Sequence, residues 1–171
     1  MATKLETKAA ELYEADFYVW AERQAELLRA RRFDELDLTN LIEEVEDLGG
    51  ALKRSVLNNA AVVIEHLLKL EHSPAIDPRN GWRATIREHR RRLRIELTPQ
   101  LRQVLSDELA GVYEMAQQDA AAALRDHREQ AAAAALPEKC PYGIDQITGD
   151  WLPKLFLPGP NPGLRGLARL A

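Results

Sequence analysis

Apolar residues recur along this chain at the three- to four-residue spacing of an α-helix, and hardly any segment shows the strict alternation of a β-strand. β-Branched residues are also scarce. The helical spacing predicts long helices over residues 6–32, 40–72, 82–97 and 99–135. In residues 40–72 the stripe that would face a core comprises Leu41, Val45, Leu48, Leu52, Val56, Val63 and Leu70. The pattern therefore excludes a sheet protein and predicts an all-α fold.

Capping residues, glycines and prolines set the expected ends of these helices. A helix start is expected at Asp37, Thr39 or Asn40, because each side chain can accept from free backbone amides. Gly49-Gly50 can bend or break the second helix, and Thr98-Pro99 is a cap followed by a first-turn proline. "CPYGIDQITGDWLP" predicts a short helix near the C-terminus. The expected architecture is a helical bundle of four long helices plus a short C-terminal helix, with short connections.

Composition predicts one globular domain. A chain of 171 residues with 46% hydrophobic and 29% charged residues is typical of such a domain. We expect residues 1–156 to form it and residues 157–171 to be a Pro/Gly-rich tail. The single cysteine, Cys140, excludes an internal disulfide framework and favours a reducing compartment. No signal peptide or membrane-spanning run is evident, so a cytoplasmic location is expected.

Four stretches resemble the successive motifs of the bacterial domain-of-unknown-function 29 family. They are "YEADFYVWAERQAELLRARRFDELDLTNLIEEVEDLG", "HLLKLEHSP", "WRATIREHRRRLR" and "CPYGIDQITGDWLP", and together they span roughly residues 10–153. The resemblance implies a bacterial, cytoplasmic, all-helical protein, and it implies no activity. The chain departs from the family pattern at Leu70, where Trp is usual, and at Gly143, where Ser is usual.

A metal centre is not predicted. Di-iron bundles use a Glu three positions before a His on one helix. The residues three positions before the four histidines are Val63, Lys69, Ile86 and Leu124, none of them acidic. No His–x₃–His pair and no cysteine cluster occurs either, so we expect no metal and no cofactor.

Several polar residues border the apolar stripes and form a candidate polar pocket. Projection at 100° per residue places Glu44, Asn59 and His66 on one flank of the second helix. Asp16 borders the stripe of the first helix, and His89 lies within that of the third. Buried polar groups need partners, so one interpretation is a structural network that fixes helix register. The alternative is a pocket for a small ligand or for acid–base chemistry.

Arginines form a candidate charged surface on the third helix. Residues 79–94 contain seven arginines and one acid, and four of the arginines recur at helical spacing: Arg83, Arg87, Arg90 and Arg94. Residues 34–47 contain seven acids and no Lys or Arg. The two blocks are expected to pair with one another, because the guanidinium fork binds carboxylates. A competing interpretation is phosphate binding by the arginine stripe.

These features favour a small interaction or regulatory module without catalysis, whose partner is another protein or a second copy of itself. One alternative is an enzyme or small-ligand binder that uses Glu44, Asn59 and His66. A second is a nucleic-acid binder that uses the stripe from Arg83 to Arg94. The net charge of −4 argues against the second alternative, and no membrane association is expected.

Overall fold

The computed structural model describes residues 11–154, and within them every regular element is a helix. Residues 11–15 are helical. The elements that follow are α1 (Phe17–Arg29), a 3₁₀ turn (Phe33–Glu35), α2 (Leu38–His72), α3 (Arg79–Glu96), α4 (Pro99–Asp107), α5 (Leu109–Asp126), α6 (Gln130–Ala134) and α7 (Ile144–Thr148). The prediction of an all-α fold is confirmed. In the described part of the chain no helix is both long and apolar enough to cross a lipid bilayer.

The chain divides into two compact units, with the boundary after Leu52. The first contains α1, the 3₁₀ turn and residues 38–52 of α2. Its buried side chains include Trp20, Leu27 and Leu36. Gln24 is also buried, and its side-chain oxygen accepts from the backbone N–H of Asp37, 2.9 Å away. Polar and apolar contacts therefore share the interior of this unit.

The second unit holds the larger core. Residues of α2, α3, α5 and α7 contribute fully buried side chains to it, among them Ile64, Leu67, Leu68, Ile86, Leu93, Ala116, Ala120 and Ile147. Each helix supplies one apolar face, as the periodicity predicts. The proposed single domain over 1–156 stays a prediction, and the tail 157–171 lies outside the described residues.

Several helix ends differ from the predicted ones. The segment predicted over 6–32 begins outside the described residues and is interrupted at Asp16, whose Oδ1 accepts from the Val19 N–H at 3.1 Å and caps α1. α2 runs through Gly49-Gly50 without a break. It begins after Asp37, whose Oδ1 accepts from the Asn40 N–H. The Thr98 cap of α4 is confirmed, because its Oγ1 accepts from the Leu101 N–H at 3.2 Å.

The single helix predicted over 99–135 is wrong, because the chain forms α4, α5 and α6 in that region. The sharper interruption is at Arg128, which has a φ of 63°. The N–H of Glu129 donates to the Leu124 carbonyl at 2.8 Å, and that of Arg128 to the Arg125 carbonyl at 2.9 Å. These two bonds define a Schellman motif, which ends a helix through one left-handed residue. Arg31, with a φ of 56°, ends α1 in the same way.

Candidate functional site

A polar seam joins α2 and α3 in the second unit. His89 Nδ1 lies 2.7 Å from Asn59 Oδ1. Asn59 donates through Nδ2 to the Ser55 carbonyl at 2.8 Å, so its Oδ1 is the acceptor and His89 Nδ1 carries the proton. Ser55 Oγ donates to Glu96 Oε2 at 2.8 Å. The structure therefore brings two of the predicted pocket residues, Asn59 and His89, into direct contact.

His66 is satisfied by its own helix. Its Nδ1 donates to the Val62 carbonyl at 2.9 Å and lies 3.6 Å from Glu65 Oε2. Burial lowers the pKa of His66, and the nearby Lys69 ammonium lowers it further. Burial and the Arg92 guanidinium lower the pKa of His89 in the same direction. Both imidazoles are therefore favoured in the neutral form, with the proton on Nδ1.

The other two predicted pocket residues lie in the first unit and make separate bonds. Asp16 caps α1, as described above. Glu44 accepts a hydrogen bond from the Tyr13 hydroxyl at 2.6 Å. That bond, with the neighbouring acidic charge, raises the pKa of Tyr13 to about 12. Each of these carboxylates accepts a hydrogen bond from its own unit and does not require a ligand as a donor.

Arg90 does not belong to the charged surface, and that part of the prediction is wrong. Its side chain is only 3% exposed. Its Nε donates to the Ile147 carbonyl at 2.9 Å, and its Nη2 donates to the carbonyls of Trp151, at 2.8 Å, and Gln146. These contacts close the C-terminal end of α7. The periodicity that placed Arg90 in line with Arg83 could not show that it turns inward.

The remaining arginines of α3 have mixed environments. Arg91 and Arg92 pair with Glu88, and Arg94 lies 3.3 Å from Asp150. Arg87 is exposed and Arg83 is half-buried. Pairing between the acids of residues 34–47 and this stripe stays a prediction.

Arg79, counted above among the seven arginines of residues 79–94, is a second buried arginine, and its burial was not predicted. Arg79 donates to the Ser73 carbonyl at 3.0 Å and to the Leu70 carbonyl, which closes the C-terminal end of α2. Burial lowers its pKa. A signal was present in the sequence, because Arg79 follows a proline-containing loop just after a helix end, where free carbonyls are expected.

The described residues bring together no metal-ligating cluster, and the side chains of Ser55 and Cys140 are held by hydrogen bonds. Within residues 11–154, no group of three or more His, Cys, Asp or Glu side chains is placed to hold a metal ion. The hydroxyl of Ser55 donates to a carboxylate and does not face an imidazole. Cys140 donates to the Tyr142 carbonyl at 3.4 Å, and burial raises the pKa of its thiol, so the reactive thiolate is disfavoured.

The fold and these contacts define an all-helical protein whose polar seam is hydrogen-bonded to side chains and a backbone carbonyl of the same unit. The family model "Domain of unknown function DUF29" matches residues 12–152. The chain belongs to this family. No curated protein and no solved structure matches it.

Proposed function

We propose that the protein is a non-catalytic interaction or regulatory module of a bacterial cytoplasm, and that it binds another protein through the first half of α2. The single observation that carries the proposal is an exposed apolar stripe formed by Ile42, Val45, Leu48 and Leu52. These side chains are 55%, 65%, 78% and 42% exposed. Exposed contiguous apolar surface of this kind marks interaction sites.

The stripe contrasts with the second half of the same helix. Val56, Val63 and Leu70 continue the predicted apolar stripe and are 2% exposed or less. The expectation that Val45, Leu48 and Leu52 face a core is therefore wrong. Covering a side chain of this size contributes roughly 1.5–3 kcal/mol. A partner helix laid along the stripe would supply that burial.

The acidic residues beside the stripe determine which charge the partner should carry. Glu43, Glu44, Glu46 and Asp47 lie beside it, and no Lys or Arg occurs in residues 34–47. A second copy presenting the same face would bring two acidic blocks together, which is unfavourable. The partner that fits is an amphipathic helix with an apolar stripe and flanking Lys or Arg residues.

Gly49 supports a close helix–helix approach at the stripe. This glycine is exposed within α2, and a Cβ built on it would meet nothing within 4 Å. A glycine inside a helix costs about 1 kcal/mol relative to alanine, and no neighbour in the described part of the chain requires one here. A partner backbone that approaches this position would explain the glycine.

A labelled leucine–lysine amphipathic helical peptide tests the surface directly, with fluorescence anisotropy as the readout. We expect saturable binding that Leu48→Asp weakens about tenfold or more, because the leucine loses its burial. Ile95→Asp is the matched control, since Ile95 is also 78% exposed, lies on α3 and gains the same charge. A leucine–glutamate peptide should not bind. Equal loss in both variants would contradict the assignment of the surface.

Photo-crosslinking in the source organism identifies the partner. A crosslinking residue at position 48 should give an adduct that maps to a basic amphipathic helix, and one at position 95 should not. The purified partner must then bind the wild-type chain more tightly than Leu48→Asp. Adducts formed only with a second copy of the chain would favour self-association instead, as would a concentration-dependent dimer in sedimentation.

A further inference from the structure

A cavity in the second unit has no role in the proposed protein interaction. It lies beside the last turn of α2, the loop that follows, the start of α3 and the end of α5, and its volume is about 590 Å³. Cavities of roughly 300–1,000 Å³ hold small molecules. Trp82, Ala123 and Leu124 form much of its apolar wall.

Lys69 lines the cavity, but its charge is already compensated. Its side chain is buried, and its Nζ donates to Glu65 Oε1 at 2.6 Å. The same ammonium lies 5.7 Å from the centroid of the Trp82 ring, within range of a cation–π contact. Lys69 therefore has an anion and an aromatic face within the protein, and it does not require an anionic ligand.

The uncompensated charges at the cavity are acidic. Asp77 and Glu129 both line it. Glu129 Oε2 is buried and has no hydrogen-bond partner among residues 11–154. The residue is the N-cap of α6, yet its side chain makes no capping bond. The Schellman motif at Arg128 fixes its backbone at this place. A carboxylate left without a donor is unfavourable, and a bound donor would relieve it.

We propose that this cavity binds a small amphipathic amine. The ammonium group would bind the carboxylate of Glu129, after a change of its side-chain rotamer that turns Oε2 toward the ligand. Asp77 would add to the attraction. The apolar body would lie against Trp82 and Leu124. The excess of acidic side chains at the cavity favours a cationic ligand over an anionic one. The aromatic wall favours a ligand whose body is apolar over one that is polar and hydrated.

Titration with phenethylamine tests the proposal, with the indole N–H resonance of Trp82 as the readout. Phenethyl alcohol has the same number of heavy atoms and no charge, and hydrocinnamate replaces the cation by an anion. We expect saturable binding of the amine, binding of the alcohol that is at least about tenfold weaker, and none of the anion. Equal affinity for amine and alcohol would overturn the proposal, as would preference for hydrocinnamate or the lack of saturation by the amine.

Variants locate the site. Glu129→Gln keeps the shape and removes the charge, so it should weaken amine binding about tenfold. Ala123→Leu should fill the cavity and abolish binding. Glu114→Gln is the matched control, because Glu114 is an exposed glutamate on α5 outside the cavity lining, and it should leave affinity unchanged. Unchanged affinity in Glu129→Gln, or equal loss in Glu114→Gln, would overturn the assignment. The Leu48→Asp peptide test concerns the other unit, so the two proposals fail independently.

Discussion

Acidification should destabilise this protein through two partly buried histidines, His89 of the polar seam and His66 of α2. His66 and His89 are held with Nδ1 donating to an acceptor, and burial lowers the pKa of both. In the unfolded chain each imidazole has a pKa of about 6.5. The unfolded state therefore binds protons at a pH where the folded state does not. Stability from these groups is fully present above about pH 6.5 and is lost as the pH falls toward the lowered folded-state pKa.

The magnitude follows from proton linkage. Each histidine that is neutral when folded and protonated when unfolded gives a slope of about 1.4 kcal/mol per pH unit. Each loss is this slope multiplied by the width of the window between the two pKa values, and solvent screening reduces the share of His89, which is partly exposed. Small domains are stable by only about 5–15 kcal/mol, so the combined loss should be measurable against the total.

Urea unfolding followed by far-ultraviolet circular dichroism, from about pH 8 to about pH 5, measures this slope. The informative variant is His89→Gln, which removes one titrating group and keeps a polar side chain at the seam. The stability advantage of the wild type over His89→Gln should shrink as the pH falls below about 6.5. His127→Gln, at an exposed position outside the polar seam, is the control variant and should retain the pH dependence of the wild type. A wild-type advantage that stays flat or grows on acidification would refute the reasoning.

Three further predictions concern arginines. Arg90→Met should destabilise the protein by about 3 kcal/mol or more in urea unfolding, because three carbonyls lose a charged donor. A change below about 1 kcal/mol would contradict the role given to this side chain. Arg128→Gly should stabilise it by about 1 kcal/mol, since glycine adopts a positive φ without strain, and a lower thermal midpoint would count against the Schellman assignment. The chain should show no strong binding to duplex DNA or RNA at physiological salt. A salt-dependent mobility shift that is lost in the Arg87→Ala/Arg91→Ala double variant would reverse that conclusion.

Helix identity could be predicted from the sequence, because it depends on local periodicity. α3 was expected over 82–97 and spans Arg79–Glu96, and the Thr98 cap was recognised from its own side chain and the proline that follows. The break at Arg128 could not be predicted in this way. Its left-handed conformation is usually signalled by Gly or Asn, and an arginine gives no such signal.

The candidate site was predicted less completely, because it depends on the register between helices. Helical projection placed Asn59 and His89 on inward flanks, and the structure brings them together. The same projection grouped Glu44 with Asn59, whereas Glu44 bonds to Tyr13 from the preceding helical segment. Arg90 was misplaced because its partners are backbone carbonyls, which carry no sequence signature. The cavity at Trp82 was missed because its walls come from segments that are far apart in the chain.

The contacts of Arg90 also bear on how the second unit folds. They join residues 56 to 61 positions apart, while the helices they connect are stabilised within themselves. Closing a loop of that length is entropically unfavourable until both ends are organised. α7 should therefore dock after α3 has formed, late on the folding path. Loss of the Arg90 contacts should then accelerate unfolding more than it slows refolding, as the two arms of a chevron plot would show. The C-terminal segment that this arginine holds is thus the part of the unit expected to detach first.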